Sequence, residues 1–193
     1  PLIAGVATVA IARRQPRRAY RFNLAMLALS TFYLGWSFVA KFHAQDIARE
    51  ALARQGIEYR QIVTLAGPFN TILWRFVVMT PKGYAEGWYS LLDSDRDVEF
   101  THHSSAGELL AGLETHWPVP RLQWFTKGFY SVSQKGRDVV MTDLRMGGED
   151  YYVFSFKVGE IGNPHSEPTA AVQLETRLKD GALKEIWRRL LGN

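Results

Sequence analysis

The stretch GPFNTILWRFVVMTPKGYAEGWYSLLD, residues 67–93, predicts the centre of the fold. Two strand-like runs flank the turn signal Pro81-Lys82-Gly83, so residues 71–92 are expected to form a β-hairpin. Arg75 is the unusual residue of this hairpin. Its side chain points to the face opposite Trp74, which it shares with Leu73 and Val77. Because these two neighbours are apolar, that face is not expected to be fully exposed to solvent. We expect Arg75 to be partly buried and paired with a carboxylate, which we predict to be Asp143.

The remaining pattern predicts an α+β fold, in which a transmembrane helix precedes a mainly antiparallel sheet domain with two or three covering helices. A short helix at 106–114 is expected from the capping-box pattern that starts at Ser105. Pro118 and Pro120 are read as chain breakers, and Trp124-Phe125 is placed in a strand or an edge segment. Other predicted strands are 57–65, 98–102, 129–133, 139–144 and 151–158. A loop is predicted at 161–168. A last helix, capped by Asp180, is expected to bury Leu183, Ile186, Trp187, Leu190 and Leu191.

Residues 22–40 form a run of 19 residues without a charge, long enough to cross a bilayer as a helix. The preceding segment ARRQPRRAYR holds five arginines, which the positive-inside rule places in the cytoplasm. We therefore expect a membrane segment at 1–42, in which 1–12 are the end of an earlier span, and an extracytoplasmic domain at 43–193. The predicted location is a bacterial inner membrane with the domain in the periplasm. A buried core helix and a signal peptide are the alternatives.

Charge and composition exclude several classes of function. Residues 1–42 hold six Lys and Arg and no acid, so the remainder of the chain has a net charge of −2 although the whole chain has +4. A nucleic-acid partner is not expected, because the folded part lacks the basic excess that such binding requires. The chain contains no cysteine, which excludes a disulfide framework and a thiolate metal site.

Few residues suggest chemistry. His102 and His103 are adjacent, so in a strand their rings point to opposite faces and cannot share a metal. Asp143 and Arg145 lie two residues apart, a spacing that suits a local ion pair or an arginine positioned by a carboxylate. The aromatic side chains, among them Trp74, Trp124 and Tyr130, fit either core packing or a groove for an acyl chain, a lipid headgroup or a peptide. In the second case Arg75 or Arg145 would be the charged contact.

Three segments resemble the C-terminal region of the YdjM/YbcI family of bacterial inner-membrane proteins, described as membrane-bound metal-dependent hydrolases. They are residues 67–93, quoted above, HWPVPRLQWFTKGFYSV and VVMTDLRMG. The resemblance implies further membrane helices upstream and a divalent metal bound by His- and Asp-containing segments there, so no metal ligand is carried over to this chain. The family motif covers Asn70, Trp74, Arg75, Asp143 and Arg145, for which the resemblance implies no role.

Three functions are consistent with these features. The first is an accessory domain of a membrane-bound metal-dependent hydrolase, presenting a lipid-like or envelope substrate. The second is a non-enzymatic sensor or protein-interaction module anchored in the inner membrane. The third is a domain that is catalytic by itself through Asp143, Arg145 and the histidines. An exposed aromatic patch would favour the second function, and a closed concave pocket would favour the first.

Overall fold

The computed structural model describes residues 16–148, 151–175 and 182–192. The chain divides into two compact units, Pro1–Phe42 and His43–Asn193. Helix α1, Pro16–Arg54, contains residues of both units. By length and composition it is a candidate membrane-spanning helix. None of the residues in its most apolar stretch of 18 residues is buried. The exposed residues of this stretch include Leu27, Phe32 and Phe38, which argues against a core helix of a soluble protein. A signal sequence near an N-terminus passes the same test of length and composition.

The last turns of α1 belong to the second unit and have a buried face. Ala44, Ile47, Ala48, Ala51 and Leu52 are fully buried at the spacing of one helical face. The helix ends in a left-handed glycine, Gly56, with a φ of 64°. Ile57 N–H donates to the Leu52 carbonyl at 3.0 Å, and Gly56 N–H donates to the Ala53 carbonyl at 3.2 Å. This is the Schellman arrangement, in which a left-handed residue ends a helix.

The second unit contains two antiparallel four-stranded sheets, which confirms the α+β class; the sequence pattern had suggested a single sheet. Sheet A has the order β1-β2-β3-β4, formed by Gln61–Ala66, Leu73–Thr80, Gly83–Ser90 and Phe100–Ser104. Sheet B has the order β5-β6-β7-β8, formed by Tyr130–Lys135, Asp138–Asp143, Ser155–Glu160 and Glu167–Gln173. The predicted central hairpin is β2–β3, in which Thr80 pairs with Gly83.

Both faces of sheet A are covered at its central strand, since residues 73–78 of β2 are all buried. On the face that carries Arg75, Val77 and Tyr84 pack in one apolar cluster with Phe129 and Leu144. Phe129 and Leu144 flank strands of sheet B, so this cluster joins the two sheets. A second cluster lies on sheet B and contains Leu110, Leu113, Val119, Val132, Val139, Met141 and Val158.

The helices differ from the sequence prediction. The segment predicted as a helix at 106–114 is a single 3₁₀ turn, Gly107–Leu110, without a side-chain cap. Ser105 Oγ instead accepts a hydrogen bond from Val132 N–H at 2.9 Å, in sheet B. Helix α2, Pro118–Thr126, begins at one of the supposed breakers. Proline is tolerated in the first turn of a helix, whose N–H groups have no intrahelical partner. The strand or edge assignment of Trp124-Phe125 is therefore wrong.

The C-terminal part of the second unit contains two further differences. Strand β8, Glu167–Gln173, begins within the predicted loop and continues beyond it. Helix α3, Ala182–Leu190, lies close to its predicted place. Of its predicted buried residues, Leu190 is buried and Ile186 is half-buried, whereas Trp187 and Leu191 are exposed. The proposed cap Asp180 and the side chain of Leu183 lie outside the described residues.

Candidate functional site

Asn70 organises the turn that enters β2. Its Oδ1 accepts hydrogen bonds from the backbone N–H groups of Ile72 at 2.9 Å and Leu73 at 2.8 Å. Its Nδ2 donates to the Pro68 carbonyl at 3.0 Å. The turn is closed by a bond of 2.7 Å from Gly67 N–H to the Leu73 carbonyl. Asn70 therefore has a structural role in fixing the start of the hairpin.

Arg75 lies in a buried ion pair with Glu86 on the neighbouring strand. Arg75 Nη2 is 2.6 Å from Glu86 Oε1 and Arg75 Nε is 3.1 Å from Glu86 Oε2, a bidentate arrangement. The side chains are only 3% and 2% exposed, respectively. The predicted partner Asp143 is wrong, because Asp143 binds Arg145. The expectation that Arg75 is paired with a carboxylate is confirmed.

Two tyrosines complete the surroundings of this pair. The Tyr152 hydroxyl donates a hydrogen bond to Glu86 Oε1. The Tyr84 hydroxyl oxygen lies 3.4 Å from the Tyr152 hydroxyl oxygen. Burial raises the pKa of Tyr152 above its ordinary value of 10.0, and the negative charge of Glu86 and the hydrogen bonds raise it further. Burial also raises the pKa of Tyr151. Tyr152 is therefore a neutral hydrogen-bond donor at physiological pH. The Arg75 guanidinium also lies 5.9 Å from the Trp88 ring centre and 5.6 Å from that of Tyr152.

Gly147 connects this buried pair to the segment that carries Asp143 and Arg145. Arg75 Nη1 donates to the Gly147 carbonyl at 2.8 Å, across 72 positions of sequence. Gly147 has a φ of 119°, and a Cβ there would lie 2.3 Å from the Tyr151 carbonyl oxygen. A side chain at position 147 is therefore excluded both by backbone conformation and by space. Segment 143–147 therefore bonds to Arg75 through the Gly147 carbonyl. The side chains of Asp143 and Arg145, in the same segment, form a separate ion pair.

Asp143 and Arg145 form the local ion pair that the sequence suggested. Arg145 Nη2 is 2.7 Å from Asp143 Oδ2, and Nε is 3.0 Å from Oδ1. The Arg145 backbone N–H also donates to Asp143 Oδ1 at 2.9 Å. The carboxylate is buried, whereas the arginine side chain is 22% exposed. The hydrogen bonds that the Arg145 guanidinium donates to Asp143 raise the pKa of Arg145.

Helix α2 and the ends of β5 and β6 meet around this pair. Tyr130 is the cross-strand neighbour of Asp143, and its hydroxyl accepts a bond of 3.2 Å from Gln123 Nε2. The Arg145 guanidinium lies 5.1 Å from the centre of the Phe125 ring. The fold therefore brings together three of the predicted residues, Tyr130, Asp143 and Arg145, at the C-terminal end of α2.

An exposed surface extends from this point along α2. Trp117, Arg121 and Trp124 follow each other at helical spacing, so they lie on one side of the helix. Trp117 is 73% exposed, Trp124 is 68% exposed and Phe125 is 48% exposed. The Arg121 guanidinium lies 4.5 Å from the Trp124 ring centre, within the range of a cation–π contact. We call the surface formed by Trp117, Arg121, Trp124, Phe125 and Arg145 the aromatic–arginine face.

The other predicted site residues do not join this face. Trp74 is 3% exposed, and its Nε1 has no hydrogen-bond partner among the described residues. Asn70 lies in the β1–β2 turn, and Arg75 is enclosed between the sheets. His102 is exposed and pairs with Ala85, whereas His103 pairs with Tyr84 and stacks on its ring at 4.8 Å. The two histidine rings therefore point to opposite faces, as predicted.

Sequence reasoning missed Glu86, Tyr152 and Arg121. Glu86 carried a usable signal: it is the one acid of β3, a strand that pairs with the strand of Arg75.

Within residues 16–148, 151–175 and 182–192, no three His, Asp or Glu side chains lie close enough together to hold a metal ion. No protein-family profile, curated protein or solved structure matches this chain.

Proposed function

We propose that residues 43–193 are the accessory extracytoplasmic domain of a membrane-bound metal-dependent hydrolase. Its role is to present a lipid-like or envelope substrate on the aromatic–arginine face. The proposal combines the resemblance of three sequence segments with the apolar helix α1. The arginine-rich segment at 12–21, which extends into the first turns of α1, supports a bacterial inner membrane and a periplasmic domain.

The observation that carries the proposal is the combination of exposed Trp117, Trp124 and Phe125 with two arginines, since exposed rings alone would favour the second function. Exposed aromatic side chains of this size are costly to leave in water, and clusters of them mark binding surfaces. Tryptophan and arginine together suit an amphiphile, since the ring covers apolar groups while the guanidinium binds an acidic headgroup. The buried Arg75–Glu86 pair is enclosed by protein and supports the fold instead of a reaction.

Native mass spectrometry of the whole chain, released from detergent, tests this proposal, with metal analysis on the same sample. We expect a co-purified amphiphile, and we expect the double variant Trp117→Ala/Trp124→Ala to lose most of it. Tyr59→Ala removes an exposed aromatic side chain that is not part of α2 and is the matched control. An equal amount of bound amphiphile in all three proteins would refute the assignment to this face.

A second experiment tests the link to the hydrolase. In the full-length protein, which by resemblance includes the upstream metal-binding segments, deletion of residues 43–193 should reduce hydrolysis of a lipid-like substrate. A full-length protein that keeps its activity without these residues would not need a presenting domain. A tightly bound metal in the present chain would instead support the third function, a domain that is catalytic by itself.

The open form of the aromatic–arginine face also favours the second function, a non-enzymatic sensor or protein-interaction module. A face whose side chains are this exposed suits a protein partner as well as an amphiphile. A photo-reactive side chain at Phe125, activated in native membranes, separates the two. Lipid adducts support presentation of an amphiphile. One defined protein adduct that Trp124→Ala abolishes and Tyr59→Ala preserves supports the interaction module.

A further inference from the structure

Phe69, at the tip of the β1–β2 turn, has a conformation and an exposure that packing does not explain. Its side chain is fully exposed, and its φ of 59° lies in the left-handed region. Bulky residues avoid this region, whereas glycine and asparagine adopt it readily. An unfavourable backbone conformation that a fold nevertheless retains points to a function for the residue.

The turn holds Phe69 in this exposed position. The three hydrogen bonds of Asn70 and the bond from Gly67 N–H to the Leu73 carbonyl fix the backbone on both sides of it. The ring therefore projects from a constrained loop, and its exposure is a fixed feature of the turn.

Other exposed apolar side chains lie at the same end of sheet A. Leu91 N–H bonds to the Ile72 carbonyl, so the residues that follow β3 lie beside this turn. Helix α3 is attached there as well: Arg189 Nη1 is 2.7 Å from Asp93 Oδ1, and Ser90 Oγ donates to the Leu190 carbonyl at 2.7 Å. Together these contacts place four exposed side chains at one end of the sheet, and we call them the apolar tip: Phe69, Leu92, Trp187 and Leu191.

The chemistry of this end suits the surface of a bilayer. Lys184 and Arg188, on α3, are exposed cations beside the apolar tip. A short helix with cations, a tryptophan and leucine is typical of segments that lie in the headgroup region of anionic membranes. We infer that the apolar tip inserts into the interface of an anionic bilayer, with Phe69 as the leading side chain. The candidate membrane-spanning helix α1 supplies the same chain with a bilayer to bind.

The cysteine-free sequence allows a direct test on the whole chain. The chain is reconstituted into liposomes of phosphatidylethanolamine and phosphatidylglycerol with a single nitroxide label. The label is placed at Ala66→Cys, an exposed position next to the turn, or at Lys135→Cys, an exposed position at the end of β5. Two collision rates of the nitroxide are measured: one with oxygen, which concentrates in lipid, and one with a water-soluble nickel complex. The ratio of these rates reports whether the label lies in lipid or in water.

We expect the label at position 66 to collide severalfold more with oxygen, relative to nickel, than the label at position 135. Adding Phe69→Asn to the Ala66→Cys protein should reduce this ratio toward that of position 135. Asparagine tolerates a positive φ, so the turn is retained and folding is not the cause of the change.

Equal nickel accessibility at positions 66 and 135 would overturn the inference, as would a ratio unaffected by Phe69→Asn. A label that is in water in these liposomes but shielded in native membranes would assign the apolar tip to a protein partner and would also overturn it. These outcomes are independent of the amphiphile test on the aromatic–arginine face, because none of the variants alters that face.

Discussion

The Arg75–Glu86 and Arg145–Asp143 pairs use the same two chemical groups in different surroundings. Both are bidentate, with shortest N–O distances of 2.6 Å and 2.7 Å. Glu86 and Asp143 are equally buried, with side chains 2% exposed. The arginines differ, because Arg75 is enclosed and linked across strands whereas Arg145 reaches the surface and stacks on the exposed ring of Phe125.

This difference separates a structural pair from one that is available for binding. An arginine without access to water depends entirely on its protein partners, so the loss of one partner leaves a buried charge. A partly exposed arginine can turn toward water when its partner is lost, and can also bind a ligand. The segment 143–147 contributes to both sites, through the Asp143 side chain and through the Gly147 carbonyl.

The largest effect is expected for Glu86→Gln. The change retains the shape of the side chain but leaves the Arg75 charge buried, and should lower the free energy of unfolding by about 3–5 kcal/mol. Chemical denaturation of the whole chain in detergent, followed by tryptophan fluorescence, measures it. Replacing both partners, as Arg75→Met/Glu86→Leu, should recover part of the loss. A single variant as stable as the parent would mean that Arg75 has access to water.

Tyr152→Phe is expected to have the next largest effect. It removes a hydrogen bond to a buried carboxylate and should lower the free energy of unfolding by about 1.5–3 kcal/mol at neutral pH. Thermal melting against the parent measures this loss. Tyr130→Phe is the matched control, since it removes a tyrosine hydroxyl that bonds to the neutral amide of Gln123 and not to a buried carboxylate.

The same variant has a pH signature. The pKa of Tyr152 is raised in the folded state, so above the ordinary value of 10.0 the unfolded chain loses a proton that the folded chain keeps. The stability from this tyrosine is therefore fully present below pH 10 and is lost as the pH rises further. Tyr152→Phe should melt with a shallower decrease between pH 9 and 11 than the parent. Identical slopes would show that Tyr152 titrates normally.

Asp143→Asn should cost less than either change. Asparagine still accepts the hydrogen bond from the Arg145 backbone N–H, and the guanidinium can turn toward solvent, so we expect a loss of about 1–2 kcal/mol. Denaturation under the conditions used for Glu86→Gln gives a direct comparison of the two pairs. A loss as large as that of Glu86→Gln would contradict the distinction between them.

The smallest effect is expected for Phe125→Leu. The change removes the aromatic ring beside Arg145 but preserves an apolar side chain, and should lower stability by only about 0.5–1 kcal/mol. Tyr59→Leu, at another exposed aromatic position, controls for general surface effects in the same thermal melts. If Phe125→Leu were as harmful as Asp143→Asn, the ring and not the carboxylate would be the main support of Arg145.

The β2–β3 hairpin could be predicted because its turn residues and its period-two pattern agree. The register around Thr80 and Gly83 places Val77 opposite Glu86 and Trp88 opposite Arg75, so Arg75 and Glu86 are diagonal neighbours on one face. The correct partner of Arg75 was therefore within reach of the sequence. Asp143 was the wrong choice because contacts between distant segments cannot be read from a local pattern.

Other elements carried weak or misleading local signals. The prolines of α2 favoured a break, although the first turn of a helix accepts them, and the burial of Val119 in the core of sheet B stabilises the helix. Strand β8 is almost entirely exposed and contains Pro168, so it lacks the alternation that identifies a strand. It forms because the side of β7 that does not pair with β6 presents backbone N–H and C=O groups for another strand. The aromatic–arginine face depended on the helical assignment of Trp124 and could not be recognised without it.

The attachment of α3 to sheet A has a consequence for how the domain is made. Ser90 bonds to the carbonyl of Leu190, 100 positions later, and Arg189 reaches back 96 positions to Asp93. Contacts between such distant residues close large loops and slow folding. During synthesis, the strands of sheet A leave the ribosome long before α3 does. We expect the C-terminal end of β3 to stay uncovered until α3 has been synthesised.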